Sequence, residues 1–247
     1  MLTKNGREIV IEIFDIHSHM VPFVDDGSSS FEMAMETLYS AYKQGARNIV
    51  CSSHSWGNSE KYFKNFKELK NQADKKGIGI NLYIGCEINC SNSSIDDIIY
   101  QLDIGELCTI NETEYVLVEF DYYEDINKIF IFVKELNANG YKPVIAHLER
   151  YVNLREHREF IPFLNNAGAL FQVNAYSLYD EKDVNIKEFA RWLLDYKFVS
   201  FIGSDSHRTN HRPYAIKNGI NYILKNCNSE YANNICYKNA ERMFNFN

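Results

Sequence analysis

Ile11-Glu12-Ile13-Phe14-Asp15-Ile16-His17-Ser18-His19 is a largely apolar run that ends by delivering two histidines. It reads as a strand over 11–16 that finishes at His17. Residues two apart on a strand face the same side, so both rings can reach a common ion. The design recurs along the chain. Strand-like runs over 47–51, 80–85, 115–120, 143–146 and 198–203 end close to His54, Glu87, Glu119, His147 and the triplet Asp205-Ser206-His207, and another run covers 169–173. Helical patterns lie between them. Ser29 and Glu32 make a capping box for a helix that runs to Gln44 and is closed by Gly45. Further helices are expected over 60–76, 126–139, 156–166, 184–196, 214–225 and 230–243, while 89–94 reads as a loop.

About seven strands joined mostly through helices imply mainly parallel pairing with right-handed crossovers. The expected fold is an α/β barrel, which gathers its chemistry beyond the C-terminal ends of its strands. A chain of 247 residues, 45% of them apolar, suits one such domain over 1–247. The net charge of -7, with no long Lys/Arg tract, argues against a nucleic-acid footprint. No 18-residue apolar run is available to span a bilayer, and no secretory signal is visible over 1–6. With six scattered cysteines, these features predict a reduced cytoplasmic protein without membrane insertion. Cys86 and Cys90 lack a second close pair, so they do not read as a zinc site.

A lone His-x-His is a weak signal, and two polar histidines at a strand end are its plain alternative. Asp205-x-His207 repeats the spacing at another strand end. Glu87 lies in Ile84-Gly85-Cys86-Glu87-Ile88, and Glu119 in Val116-Leu117-Val118-Glu119-Phe120. A carboxylate among such neighbours is costly unless paired or bound to metal. Asp25-Asp26-Gly27 has the composition of a turn. Joined with His54 and His147, these residues point to imidazole and carboxylate ligands for Mn, Fe or Zn.

Asp15-Ile16-His17-Ser18-His19, Val24-Asp25-Asp26-Gly27 and Ser52-Ser53-His54 resemble the opening of the polymerase-and-histidinol-phosphatase (PHP) superfamily. The match is to its bacterial manganese-dependent tyrosine-phosphatase branch, associated with capsular and exopolysaccharide synthesis. Gly85-Cys86-Glu87-Ile88, Val118-Glu119-Phe120, the run Pro143-Val144-Ile145-Ala146-His147-Leu148-Glu149-Arg150, Gln172-Val173-Asn174, Ser204-Asp205-Ser206-His207 and Arg212-Pro213 continue it in order. The resemblance implies a distorted seven-stranded (β/α)7 barrel of the PHP type with three metal ions. His17, His19, Glu87 and Asp205 would hold one ion, with Glu87 bridging to a second completed by Glu119 and His147. Asp26, His54 and His207 would hold the third. Arg150 and Arg212 resemble the family's phosphate-binding arginines, and guanidinium suits phosphate. Four carboxylates against three divalent ions leave the site at about +2 with neutral histidines, which favours an anionic substrate. The implied reaction is hydrolysis of protein phosphotyrosine by a metal-bound hydroxide, with Asp205 or His207 as proton carriers. The implied partner is the tyrosine-rich tail of a polysaccharide-synthesis kinase.

One departure concerns the segment after His54. Relatives often carry basic residues there, whereas Ser55-Trp56-Gly57-Asn58-Ser59 has none. Trp56 there is placed either to cover an aromatic ring or to anchor its loop. Cys236 and Arg242 also satisfy the C-x5-R spacing of cysteine-dependent tyrosine phosphatases. No glycine lies between them, however, and the segment reads as helix. Two other functions stand beside the leading one: a small-molecule phosphomonoesterase such as histidinol phosphatase, and a non-catalytic metal-binding regulatory protein.

Overall fold

The computed structural model describes residues 12–54 and 59–244, together with the backbone of 3–4 and 7–8. Ile11, at the start of the first expected strand, and Trp56 fall outside the described residues. The two short N-terminal stretches, Thr3–Lys4 and Arg7–Glu8, pair antiparallel.

Strand and helix then alternate. The order is β1 (Ile13–Ser18), α1 (Phe31–Lys43), β2 (Ala46–Cys51), α2 (Ser59–Lys75), β3 (Asn81–Ile84), β4 (Glu87–Asn89), α3 (Ile95–Asp103), β5 (Tyr115–Glu119) and α4 (Ile126–Ala138). After these come β6 (Lys142–Ile145), α5 (Ile161–Asn166), β7 (Leu170–Asn174), α6 (Val184–Asp195), β8 (Phe201–Gly203) and α7 (Lys217–Asn226). One parallel sheet has the order β1-β2-β3, and the other β8-β7-β6-β5-β4.

Two seams join the sheets. At the first, β3 runs into β4 through Gly85 and Cys86, so one interrupted strand serves both sheets. Gly85 N donates to Cys51 O at 2.9 Å and Glu87 N to Ser52 O at 3.0 Å, which carries the ladder across. At the second, Asp205 N donates to His17 O and His19 N to Ser206 O, each at 2.8 Å. With β3 and β4 taken as one strand, the expected seven positions close into a distorted barrel.

Alternation of side chains builds two cores. Phe14, Ile16, Val50, Leu117, Val144 and Phe201 pack together inside the barrel. The C-terminal helical stretch closes one end, with Phe244 stacked on Phe14 at 4.9 Å. The larger core lies between strands and surrounding helices. The register of β1 on β2 slips between Asp15 and Ser18, a bulge of the kind that re-aims side chains beside sites.

Several boundaries differ from expectation. Ser30, not Ser29, caps α1, accepting from Met33 N at 3.1 Å. The helix expected over 156–166 is broken into Val152–Glu156, a 3-10 turn and α5. His157 leaves helical geometry there (φ -120, ψ 61), and Pro162 supplies no N–H. The last strand begins only at Phe201, because Phe198 N still bonds back to Leu193 O of α6. The helix α3 was not expected. Ser94 caps it through Asp97 N, and Ile98 and Leu102 bury its inner face. The closing helical stretch contains a π turn over Asn234–Lys238.

Helix α7 braces the turn Ala175–Leu178 at Gly219, where an added Cβ would lie 1.9 Å from Ala175 O. Neither backbone can yield cheaply. Gly219→Ala is expected to cost about 1–3 kcal/mol by overpacking and to lower Tm by several degrees in calorimetry. A parent-like Tm would show that the α7 contact gives way.

Candidate metal centre

The strand ends converge on one carboxylate. Glu87 opens β4 at the first seam and is buried. Its Oε1 lies 2.9 Å from His147 Nε2. Its Oε2 lies 3.3 Å from His17 Nε2, 3.2 Å from His19 Nε2 and 3.2 Å from His54 Nδ1. Four imidazoles from three different strand ends and the adjoining loops thus share one side chain. Around it, Glu119 approaches His54 Nδ1 at 3.3 Å and His147 Nε2 at 3.6 Å. Asp205 Oδ1 lies 3.7 and 3.6 Å from the Nε2 atoms of His17 and His19. Asp26 Oδ1 lies 3.4 Å from His207 Nε2 and 3.7 Å from His54 Nε2. All nine expected ligand residues therefore meet in one cluster.

Three groups within it present donor atoms close enough together to hold an ion. They are His19, Asp26, His54 and His207; His17, His19 and Asp205; and His54, Glu87 and Glu119. The grouping differs from the expected one in three respects: His19 and His54 each reach two groups, Glu87 is not in the group of His17 and Asp205, and His54 rather than His147 completes the one with both glutamates.

The electrostatics fit divalent cations. Burial alone would neutralise Glu87, but the charge of His17 and hydrogen bonds from His147, His17 and His19 hold its pKa far below the usual range. Glu119, opposed by burial and by Glu87, is still drawn down to about 2 by His147 and His54. Burial disfavours a charged His147, yet its bonds to Glu119 and Glu87 raise it to about 10. Burial and the charge of His19 push His207 down to about 4. The buried carboxylates thus require positive charge beside them, a demand that a divalent ion satisfies.

The far sides of the rings are held as well. His19 Nδ1 lies 2.8 Å from Asp25 Oδ2, which also accepts from His54 N at 3.1 Å. Asp25 Oδ1 accepts from Gly27 N at 2.9 Å, so the turn reading describes only one of its oxygens. His17 Nδ1 lies 3.0 Å from Gln172 Oε1, which also accepts from His147 N at 2.8 Å. Gln172 Nε2 continues to Asn174 Oδ1, and Asn174 Nδ2 to Asp205 Oδ2 at 3.1 Å. Such partners fix the tautomer and aim the other ring nitrogen at an ion. Sequence reasoning left Asp25 out of the site because it read the residue only as part of a turn. His147, Asp205 and Arg212 all have positive φ, at 34, 50 and 50. For such residues this conformation costs about 1–3 kcal/mol each and collects at functional sites.

Both arginines reach Asp205. Arg150 Nη2 is 2.9 Å from Asp205 Oδ2 and also donates to Tyr176 OH, while Nη1 donates to Tyr122 OH at 3.2 Å. Arg212 Nη1 lies 3.3 Å from both Asp205 oxygens and from His207 Nε2. Two guanidinium groups therefore flank the donor cluster. Cys236 is different: it is buried within the π turn, burial pushes its thiol pKa up, and Arg242 bonds to Asn239 Oδ1. No anion cradle forms there.

The family model for capsular polysaccharide synthesis, CpsB/CapC, matches residues 13–245. The tyrosine-protein phosphatase CpsB of Streptococcus agalactiae serotype III is 29% identical, across 93% of this chain and 97% of its own length. The putative tyrosine-protein phosphatase CapC of Staphylococcus aureus is 36% identical over 84% of this chain and 82% of its own. Among solved structures, those of YwqE from Bacillus subtilis and CpsB from Streptococcus pneumoniae, described as metal-dependent tyrosine phosphatases, provide a chain with TM-score 0.86. It is 26% identical, with 94% of each chain covered. A histidinol phosphate phosphatase of Lactococcus lactis, covering 87% of this chain and 93% of its own, is farther away at TM-score 0.57 and 15% identity, a likeness of fold alone.

Asp25→Asn removes the carboxylate behind His19 while leaving its shape. Metal affinity, followed by titration of metal-free protein, is expected to fall ~10–100-fold. Unchanged affinity would mean that His19 is aimed without Asp25.

Proposed function

The chain belongs to the CpsB/CapC family of the PHP superfamily, and from that membership we propose that it is a metal-dependent phosphatase acting on protein phosphotyrosine. The observation that carries this reading is the four-imidazole environment of Glu87, with two guanidinium groups beside it. We assign His17, His19, Asp26, His54, Glu87, Glu119, His147, Asp205 and His207 as ligands of up to three ions, with manganese preferred and iron or zinc also suited to these donors. When bound, the ions supply Lewis-acid polarisation of phosphoryl oxygens and activation of water.

The protein's own residues do the rest. Arg150 and Arg212 bind the phosphoryl group and offset its charge as the ester bond breaks. Asp25 and Gln172 keep His19 and His17 aimed at the cluster. We assign Asp205 and His207 as the proton carriers; the His207 ring is held by its Nδ1, 3.0 Å from the backbone oxygen of Asp205. We place residues 1–247 in one catalytic unit, in the cytoplasm, facing a tyrosine kinase of polysaccharide synthesis. Among the described residues no helix is long and apolar enough to cross a membrane.

Turnover of a phosphotyrosine peptide tests the reading. Activity is expected to vanish on chelation and return with manganese. It is expected to exceed turnover of histidinol phosphate by ~10-fold or more in kcat/KM, and His207→Ala is expected to lower it ~100-fold. Metal-replete protein that binds phosphate yet hydrolyses neither ester would establish a regulatory binder instead. Cys236→Ser is expected to keep parent-like turnover, and its inactivation with metals still bound would revive the cysteine mechanism.

A further inference from the structure

Tyr122 stands beside this centre in a way that the metal and phosphate assignments leave unused. It follows β5 in a turn, and its carbonyl accepts from Val152 N at 2.7 Å. Its ring meets His147 edge-on at 5.9 Å and Tyr151 at 6.2 Å. Its hydroxyl accepts from Arg150 Nη1 at 3.2 Å. The ring is therefore fixed by backbone, by packing and by its polar tip. It nevertheless remains 40% exposed. Tyr122 thus offers a held, half-open aromatic surface between a candidate metal ligand and a candidate phosphate-binding guanidinium.

Resting on the phosphatase reading, we propose that Tyr122 is a specificity-determining residue that favours aryl over alkyl phosphate esters by packing against the leaving ring. Two tyrosines bond to the Arg150 guanidinium, and Tyr122 is the more exposed of them, so an ester whose phosphoryl group lies against Arg150 projects its substituent past Tyr122. An aryl substituent there gains an offset or edge contact with Tyr122, which a short alkyl group lacks. Because the ring is already ordered, little freedom is lost when the contact forms.

The test compares competitive inhibition by phenylphosphonate and methylphosphonate, with metal content measured on each protein. Tyr122→Ala and Tyr122→Leu are expected to raise Ki for phenylphosphonate ~5–10-fold while leaving methylphosphonate within about twofold. Tyr122→Phe, which keeps the ring, is expected to retain the parent ratio. The proposal is overturned if neither Ala nor Leu changes the ratio in metal-replete protein. It is equally overturned if Phe loses the ratio as they do, because the hydroxyl would then act through Arg150. Metal-replete parent protein that hydrolyses no aryl phosphate removes the phosphatase reading itself, whereas an active parent with an unaltered ratio in the variants removes only the role of Tyr122.

Discussion

A carboxylate taken out of water must find charge, and in this protein Glu87 finds it on every side. No single neighbour compensates its burial. Four imidazoles do so together, and they come from parts of the chain far apart in sequence. Removing one partner of such a buried set leaves charge that the interior tolerates poorly. The barrel and its chemistry are therefore mutually dependent. Closure of the strands brings the imidazoles to Glu87, and the polar cluster in turn needs an environment that closure alone provides.

The seams show how that closure is achieved. Both lie at the site, one through Gly85 and Cys86 and the other between β1 and the Asp205 loop. Irregular backbone concentrates there because a regular ladder would hold its side chains on fixed alternate faces. The slip in β1 and the positive φ of His147 and Asp205 free side chains from that alternation. At the opposite end regular packing returns, with aromatic rings of the C-terminal stretch filling the barrel floor.

Much of this was readable from residue order, for a physical reason. A parallel strand ends where its apolar run ends, so the next imidazole or carboxylate lies at the mouth of the barrel. His54, His147 and Asp205 follow that rule; His17 is the last residue but one of β1, and Glu87 comes shortly after β3 while opening β4. What escaped depends on distant or doubled roles. Asp25 reads as a turn residue because one of its oxygens serves a turn; the other holds His19. Tyr122 looks like surface because its partners, Arg150 and His147, arrive from later strand ends. The helix expected over 156–166 failed at His157 and Pro162, where periodicity continues although the backbone does not. Helix α3 was hidden by the polar stretch that leads into it.

The left-handed backbone at positions 147, 205 and 212 also bears on how the protein would respond to engineering. Glycine is the residue best suited to such φ values, yet these three positions carry an imidazole, a carboxylate and a guanidinium. Glycine would relax each torsion, but at 147 and 205 it would also take a partner from a buried charge, Glu87 or Arg150, and the gain in the backbone would be lost inside the cluster. Durability and reactivity are thus tied together at these torsions: the electrostatics that make the mouth of the barrel reactive also hold its strained backbone in place.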